Sequence, residues 1–197
     1  MKSFPILGAA LLLAACGAND TTDTSADDVD DTATNTTMAD GPGMAADNAA
    51  TPAMPNDAAG YMAMAGAGDM WEIESSKAFM AKSGNADLKK FAQMMIDHHT
   101  QSTEKVKAAA KSANVTAPAP KLDTEQQRML DEIKAADATA VDAIYKRHQA
   151  TAHQKALALH QGYSANGDNE ALKKAASEIA PVVQKHITEL SRMPASS

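Results

Sequence analysis

The chain has 197 residues, 44% of them hydrophobic, with a formal net charge of −7, and its length suits one ordinary domain plus an appendage. Aromatic residues make up only 4%, so a core has to come from Ala, Leu, Ile, Val and Met, which favours close-packed helices over a sheet. One cysteine, Cys16, excludes an internal disulfide, and the absence of a basic patch, a glycine-rich phosphate loop and aromatic–basic interleaving argues against nucleic-acid binding.

The chain opens with Lys2, an apolar run from Phe4 to Ala14, and "LAAC" at Leu13 to Cys16. A positive start, a short apolar stretch and small residues before a cut site predict a secretory signal peptide over residues 1–15, too short for a membrane span. Ending in cysteine, the cut site resembles a bacterial lipobox. That resemblance implies a lipidated Cys16 as first residue of the mature chain and as membrane anchor. Gly17 follows in place of the Asp that retains lipoproteins at the inner membrane of enteric bacteria, so the expected address is the outer membrane, facing the periplasm.

Residues 16–60 change character. Asp20, Asp23, Asp27, Asp28, Asp30, Asp31, Asp40, Asp47 and Asp57 stand there without a Lys or Arg, among Thr, Ala, Asn, Gly and Pro. Such a stretch buries too little apolar surface to offset its ordering entropy and is expected to be a disordered acidic tether. As a flexible coil it spans about 35–40 Å. With the acidity confined there, residues 61–197 carry a formal charge of only +1 and form the predicted folded domain.

Four helices are predicted, from about Gly68 to Lys82, Ala86 to Ala113, Asp123 to Tyr163, and Asn169 to Met193. "SGNAD", "NVTAPAP" and "SANGDN" punctuate them, and Asp123 with Gln126 forms a capping box for the third. Short connections between long helices predict an all-α domain, an antiparallel up-down-up-down four-helix bundle.

On the second helix Leu88, Phe91, Ala92, Met95, His99, Ser102 and Val106 recur at three- and four-residue steps, which places His99 on the inward stripe. His98 falls about 100° away, on the flank. The fourth helix carries His186 within its stripe of Leu172, Ile179, Val183 and Leu190. On the third, His153, Gln149, Asp142 and His160 share a line beside the core stripe of Val141, Tyr145 and Leu159, while His148 is expected to be solvated. On the first, Glu72 shares the inward side with Ser76 and Phe79, and Glu74 points away. If the turns near residues 84 and 166 lie at one end, Glu72, His99 and His153 stand at about 18–22 Å from it, whereas His186 stands more than a helical turn higher.

"WEIESSKAF", "LKKFAQMMIDHHT", "VDAIYKRHQATAH" and "LKKAASEIAPVVQKH" in series resemble the domain-of-unknown-function 4142 family. Its members are bacterial envelope proteins described as ferritin-like bundles. The resemblance spans roughly residues 66–193 and places the family's motif positions on Glu72, Asp97 with His99, Asp142, Tyr145, His153, Pro181 and His186. His98 stands between Asp97 and His99 where the family usually has an acidic or polar residue. The family name carries no activity. Di-iron bundles use two Glu-x-x-His pairs, and this chain has none, which disfavours ferroxidase chemistry.

Two functional expectations follow. The first is a structural or partner-binding, non-enzymatic bundle in the cell envelope, with envelope proteins as partners and polar interior groups setting its register. The alternative is a mononuclear metal site of Glu72, His99, His153 and His186, whose imidazole and carboxylate ligands suit zinc, copper(II) or iron(II). Asp97, Asp142, Tyr145 and Gln149 would then stand behind the ligands. A third idea, copper(I) on the methionines in and near the tether, rests on the softness of thioether sulfur, but their spacing is irregular. No nucleophilic Ser or Cys stands in a recognisable catalytic motif.

Overall fold

The computed structural model describes residues 54–193, which form five helices. The signal peptide, Cys16 and the tether up to residue 53 lie outside the described residues. The helices are α1 (Ala58–Met80), α2 (Ala86–Ser112), α3 (Thr124–Ala135), α4 (Val141–Asn166) and α5 (Glu170–Arg192). No strand occurs among the described residues, and none of these helices is long and apolar enough to cross a membrane.

Helix α1 begins ten residues earlier than the sequence pattern predicts. Asp57 caps it, accepting the Gly60 N–H at 2.8 Å, and the first turns hold because Tyr61, Met62 and Ala65 are buried. Their Ala- and Gly-rich surroundings disguise this segment as tether. Asn85 caps α2, accepting the Asp87 and Leu88 N–H groups, and the Asp123–Gln126 capping box opens α3 as expected.

The single long helix predicted from Asp123 to Tyr163 is in fact two. Ala136 leaves the helix with ψ 145°, and Asp137 Oδ1 then accepts the N–H groups of Thr139 and Ala140 at 2.9 Å each, starting α4 in a new direction. An aspartate side chain that competes for backbone donors ends a helix without help from Gly or Pro.

This break changes the topology. Pairs across the helices fix their directions: Ser76, Glu72 and Tyr61 of α1 meet Tyr145, His153 and His160 of α4, so α1 and α4 run oppositely. His98 and Lys105 of α2 meet His186 and Glu178 of α5, which also run oppositely. Glu125 and Glu132 of α3 meet Lys155 and His148 of α4. Direction therefore alternates along all five helices, but α3 is not one of the enclosing four. The ring is α1, α2, α5 and α4, in which α2 and α4 run the same way, while α3 packs outside on α1 and α4. The up-down-up-down order expected for four helices is corrected accordingly. The turns near residues 84 and 166 lie at opposite ends.

Two apolar clusters fill the ring. One contains Phe79, Phe91, Met95, Ile133, Tyr145 and Leu190, and the other Tyr61, Val106, Leu159, Tyr163, Leu172 and Val183. On every ring helix a short polar stretch separates the two: Asp69 and Glu72, His98 to Ser102, Gln149 and His153, and His186. The structure is thus an apolar–polar–apolar stack.

Ile133 is fully buried and, with Met129 and Leu130, anchors α3. Replacing Ile133 with Ala is expected to cost about 3 kcal/mol of unfolding free energy, the usual scale for a buried cavity. Urea melts followed by circular dichroism measure it. A cost under about 0.5 kcal/mol would mean that α3 is not docked as described.

Candidate metal centre

The polar layer is assembled from four helices. α1 contributes Asp69 and Glu72, three residues apart and so on one face; α2 contributes His98 and His99, α4 Gln149 and His153, and α5 His186. Glu72, His99, His153 and His186 are each at most 5% exposed.

Hydrogen bonds fix the imidazole tautomers. His153 Nδ1 lies 2.8 Å from the Gln149 carbonyl oxygen, which can only accept, so Nδ1 bears the proton and Nε2 the lone pair. That Nε2 faces His186 Nδ1 at 3.1 Å. His99 Nδ1 donates to Asp69 Oδ1 at 2.8 Å, leaving His99 Nε2 with a lone pair, buried and without a partner. The other oxygen of Asp69 accepts from the Thr103 hydroxyl at 3.0 Å. His186 Nε2 is held by His98 Nδ1 at 2.8 Å, with the two rings stacked. One ring nitrogen each from His99, His153 and His186 then lies within 4.8 Å of the other two. Nitrogens around a tetrahedral ion stand about 3.3 Å apart, so the widest pair has to close by at most about 1.5 Å.

The predicted residues are placed as follows. His99, His153 and His186 come together. His186 belongs to the cluster, with its Nδ1 3.1 Å from His153 Nε2, so α4 and α5 bring the two rings to one level. The greater height expected for it came from a shared turn plane that does not exist. Glu72 stands apart from the three nitrogens, its Oε1 3.3 Å from His153 Nδ1, on the ring edge opposite the lone pair. Because that N–H is aimed at Gln149, neither Glu72 oxygen receives a hydrogen bond. Gln149 supports His153 through its backbone, and its side-chain nitrogen reaches Ser75 Oγ at 3.3 Å.

Three other expectations are not met. Asp97 is exposed and accepts from Gln93, one turn earlier on the same helix. Asp142 is taken by Ser83 at 2.6 Å, in the connection between α1 and α2. Tyr145 stacks on Phe79 within the first apolar cluster and shares a 2.8 Å hydrogen bond with Ser76. His148, expected in solvent, is buried where α3 covers it and pairs with Glu132 at 2.8 Å; that hydrogen bond holds the Glu132 carboxyl below its ordinary pKa. Glu74 is exposed, as expected. Asp69 and His98 were missed. The three-residue step from Asp69 to Glu72 was a usable signal for the first, and the histidine doublet itself for the second.

Electrostatics differ from ring to ring. Burial alone would lower the His99 pKa, but the hydrogen bond to Asp69 and the charges of Glu72 and Asp69 leave it raised above the ordinary value. His153 is lowered, chiefly by burial and with Glu72 opposing. Burial and then the neighbouring imidazoles push His186 down to about 2. His160, whose Nδ1 bonds the Tyr61 hydroxyl at 3.0 Å, is lowered by burial to about 4.

Six buried side-chain atoms among the described residues lack any hydrogen-bond partner: Trp71 Nε1, both Glu72 oxygens, His99 Nε2, Ser102 Oγ and Gln149 Oε1. All six lie on residues at the level of this layer. An unpartnered buried polar atom costs about 1–3 kcal/mol, and more when charged. Ordered water, an ion or a ligand satisfies such atoms in native proteins.

Comparison with known proteins bears on the fold. A model of the family described as "domain of unknown function (DUF4142)" matches residues 43–193. The chain belongs to this DUF4142 family. A solved DUF305 fragment from Deinococcus radiodurans is similar in fold, with a TM-score of 0.58 at 11% identity, covering 66% of this chain and 90% of that one. No curated protein matches the sequence of this DUF4142 chain.

His160 gives a pH test. Its folded pKa lies below the unfolded value of about 6.5, so its neutral ring contributes fully above that value, and stability is lost as pH falls toward 4. Between pH 7.5 and 5.0 this one group is expected to remove about 2 kcal/mol. Thermal or urea melts at both pH values should show a smaller acid loss in His160→Gln than in the parent. An equal loss in the two proteins would contradict the assignment.

Proposed function

We propose that this domain binds a divalent transition-metal ion through His99, His153 and His186. The observation that carries the proposal is the tautomer pattern. Asp69 and the Gln149 carbonyl hold the Nδ1 protons of His99 and His153, which leaves lone pairs on their Nε2 atoms. That of His153 lies 3.1 Å from His186 Nδ1, and one ring nitrogen of each of the three lies within 4.8 Å of the others in a buried core. Carboxylate and carbonyl partners on the outer nitrogen are the recurrent way proteins orient metal-bound histidines. His98 would do the same for His186. Three imidazoles suit zinc, copper(II) or iron(II). Glu72, buried without a hydrogen bond and with its Oε1 3.3 Å from His153 Nδ1, would supply one negative charge toward balancing the ion.

A purely structural, partner-binding bundle explains the buried histidines less well, because it leaves His99 Nε2 and a whole carboxylate uncompensated. The ring of four helices supports a ferritin-like assignment in shape only, since the donor set lacks the carboxylate bridges of di-iron bundles. The lipobox-like "LAAC" supports a lipid anchor at Cys16, with the domain held at the outer membrane and facing the periplasm. Envelope proteins are then the partners within reach.

The full chain, prepared without an affinity tag or chelator, is expected to carry close to one equivalent of zinc, copper or iron by elemental mass spectrometry. His99→Ala/His153→Ala should lower metal affinity at least a hundredfold. No bound metal in the parent, together with no thermal shift on adding any of the three ions, would end the proposal.

A further inference from the structure

Beside the histidines lies a cavity of about 340 Å³ between α1, α3 and α4. Its apolar wall is formed by Met64, Ala67, Met129, Ala152, Ala156 and Leu159. The space exists because α4 presents Ala152 and Ala156 one turn apart, where longer side chains would reach α1. At the mouth stand exposed Lys121, Asp123, Glu125 and Lys155, whose charges cancel, so the entrance repels neither sign of ligand.

The inner end is different. Trp71, Glu72 and His99 all line the cavity, and each keeps a buried polar atom without a partner. Trp71 Nε1 is a donor only, so it lacks an acceptor. An ion held by three protein ligands keeps a position for a further one, as open zinc sites do. His99 alone of the three ligands lines the cavity. An open position of the ion on that side and the Trp71 donor would therefore meet at one end of an apolar space of ligand size: the first needs a Lewis base, the second an acceptor. An amine or a thiolate meets only the first. A carboxylate meets both, with one oxygen for each.

Given the metal centre, on which this inference rests, we infer that the cavity binds a small organic carboxylate with an unbranched apolar body. One oxygen takes the open position of the ion, the other accepts the Trp71 N–H, and the chain lies along Ala152, Ala156 and Met129.

The test uses the full chain loaded with zinc and octanoate as probe, by titration calorimetry, with zinc content measured on every sample. One octanoate per zinc is expected, bound at least tenfold more tightly than acetate. Trp71→Phe should weaken octanoate at least tenfold, and Ala156→Trp, which fills the cavity from α4, should abolish binding, both with zinc retained. Ala152→Leu replaces the second variant if that protein does not fold. Zinc retained without octanoate binding, or octanoate bound equally by the zinc-free or the cavity-filled protein, would overturn this inference and leave the metal centre standing. A parent chain that takes up no zinc would overturn both.

Discussion

A hydrogen bond of 2.8 Å between Asp69 and His99 governs how the middle of this domain can be built. It settles which nitrogen of His99 bears the proton, and so leaves a bare, buried lone pair on the other. It also raises the proton affinity of that imidazole, against the burial that would lower it. Asp69 is itself fixed by Thr103, so the carboxylate locks α1 to α2 from two positions one turn apart. Both of its oxygens are satisfied, which offsets the cost of burying a carboxylate this deep. Glu72, one turn further along α1, has the opposite fate. The contrast between a saturated carboxylate and a bare one, side by side, separates scaffold from site.

Much of this could be read from periodicity. The stripe on α2 from Leu88 to Val106 is buried throughout, and placing His99 upon it needed nothing beyond a three-to-four-residue repeat. The stripe on α5 was as legible. The start of α1 was not, because Ala, Gly and Met on every side leave little contrast between its faces. The α3–α4 break was hidden among alanines, where one Asp side chain decides the backbone path. That one break reversed the sense of α4 relative to the expected order, and with it the estimated height of His186. Local spacing thus put His99 and His186 on the buried faces of their helices, as the structure has them, but not His148. The relative levels depended on a connection whose conformation is set by a hydrogen bond rather than by composition.

His148 and Asp97 mark the limit of face-by-face reasoning. A helix that packs on only one side exposes its other face, but α4 has a second partner in α3, which buries His148 against Glu132. Asp97, adjacent to the doublet in sequence, points to solvent because neighbours on a helix diverge by about 100°. His98 obeys the same rule and lies on the flank. Its ring nonetheless reaches His186, since α5 packs on that flank.

The short outer helix adds a kinetic dimension. α3 is the smallest of the five, and Met129, Leu130 and Ile133 are its only buried residues. Three of the residues that line the cavity, Glu125, Gln126 and Met129, belong to it. The helices of the ring are roughly twice as long and bury their apolar stripes on each other. Elements with few buried contacts detach first, at a free energy well below that of global unfolding. Exchange of amide hydrogens in α3 is therefore expected to outpace that in α1, α2, α4 and α5. Undocking of α3 would take its side chains out of the cavity wall without disturbing the four helices that carry the histidines.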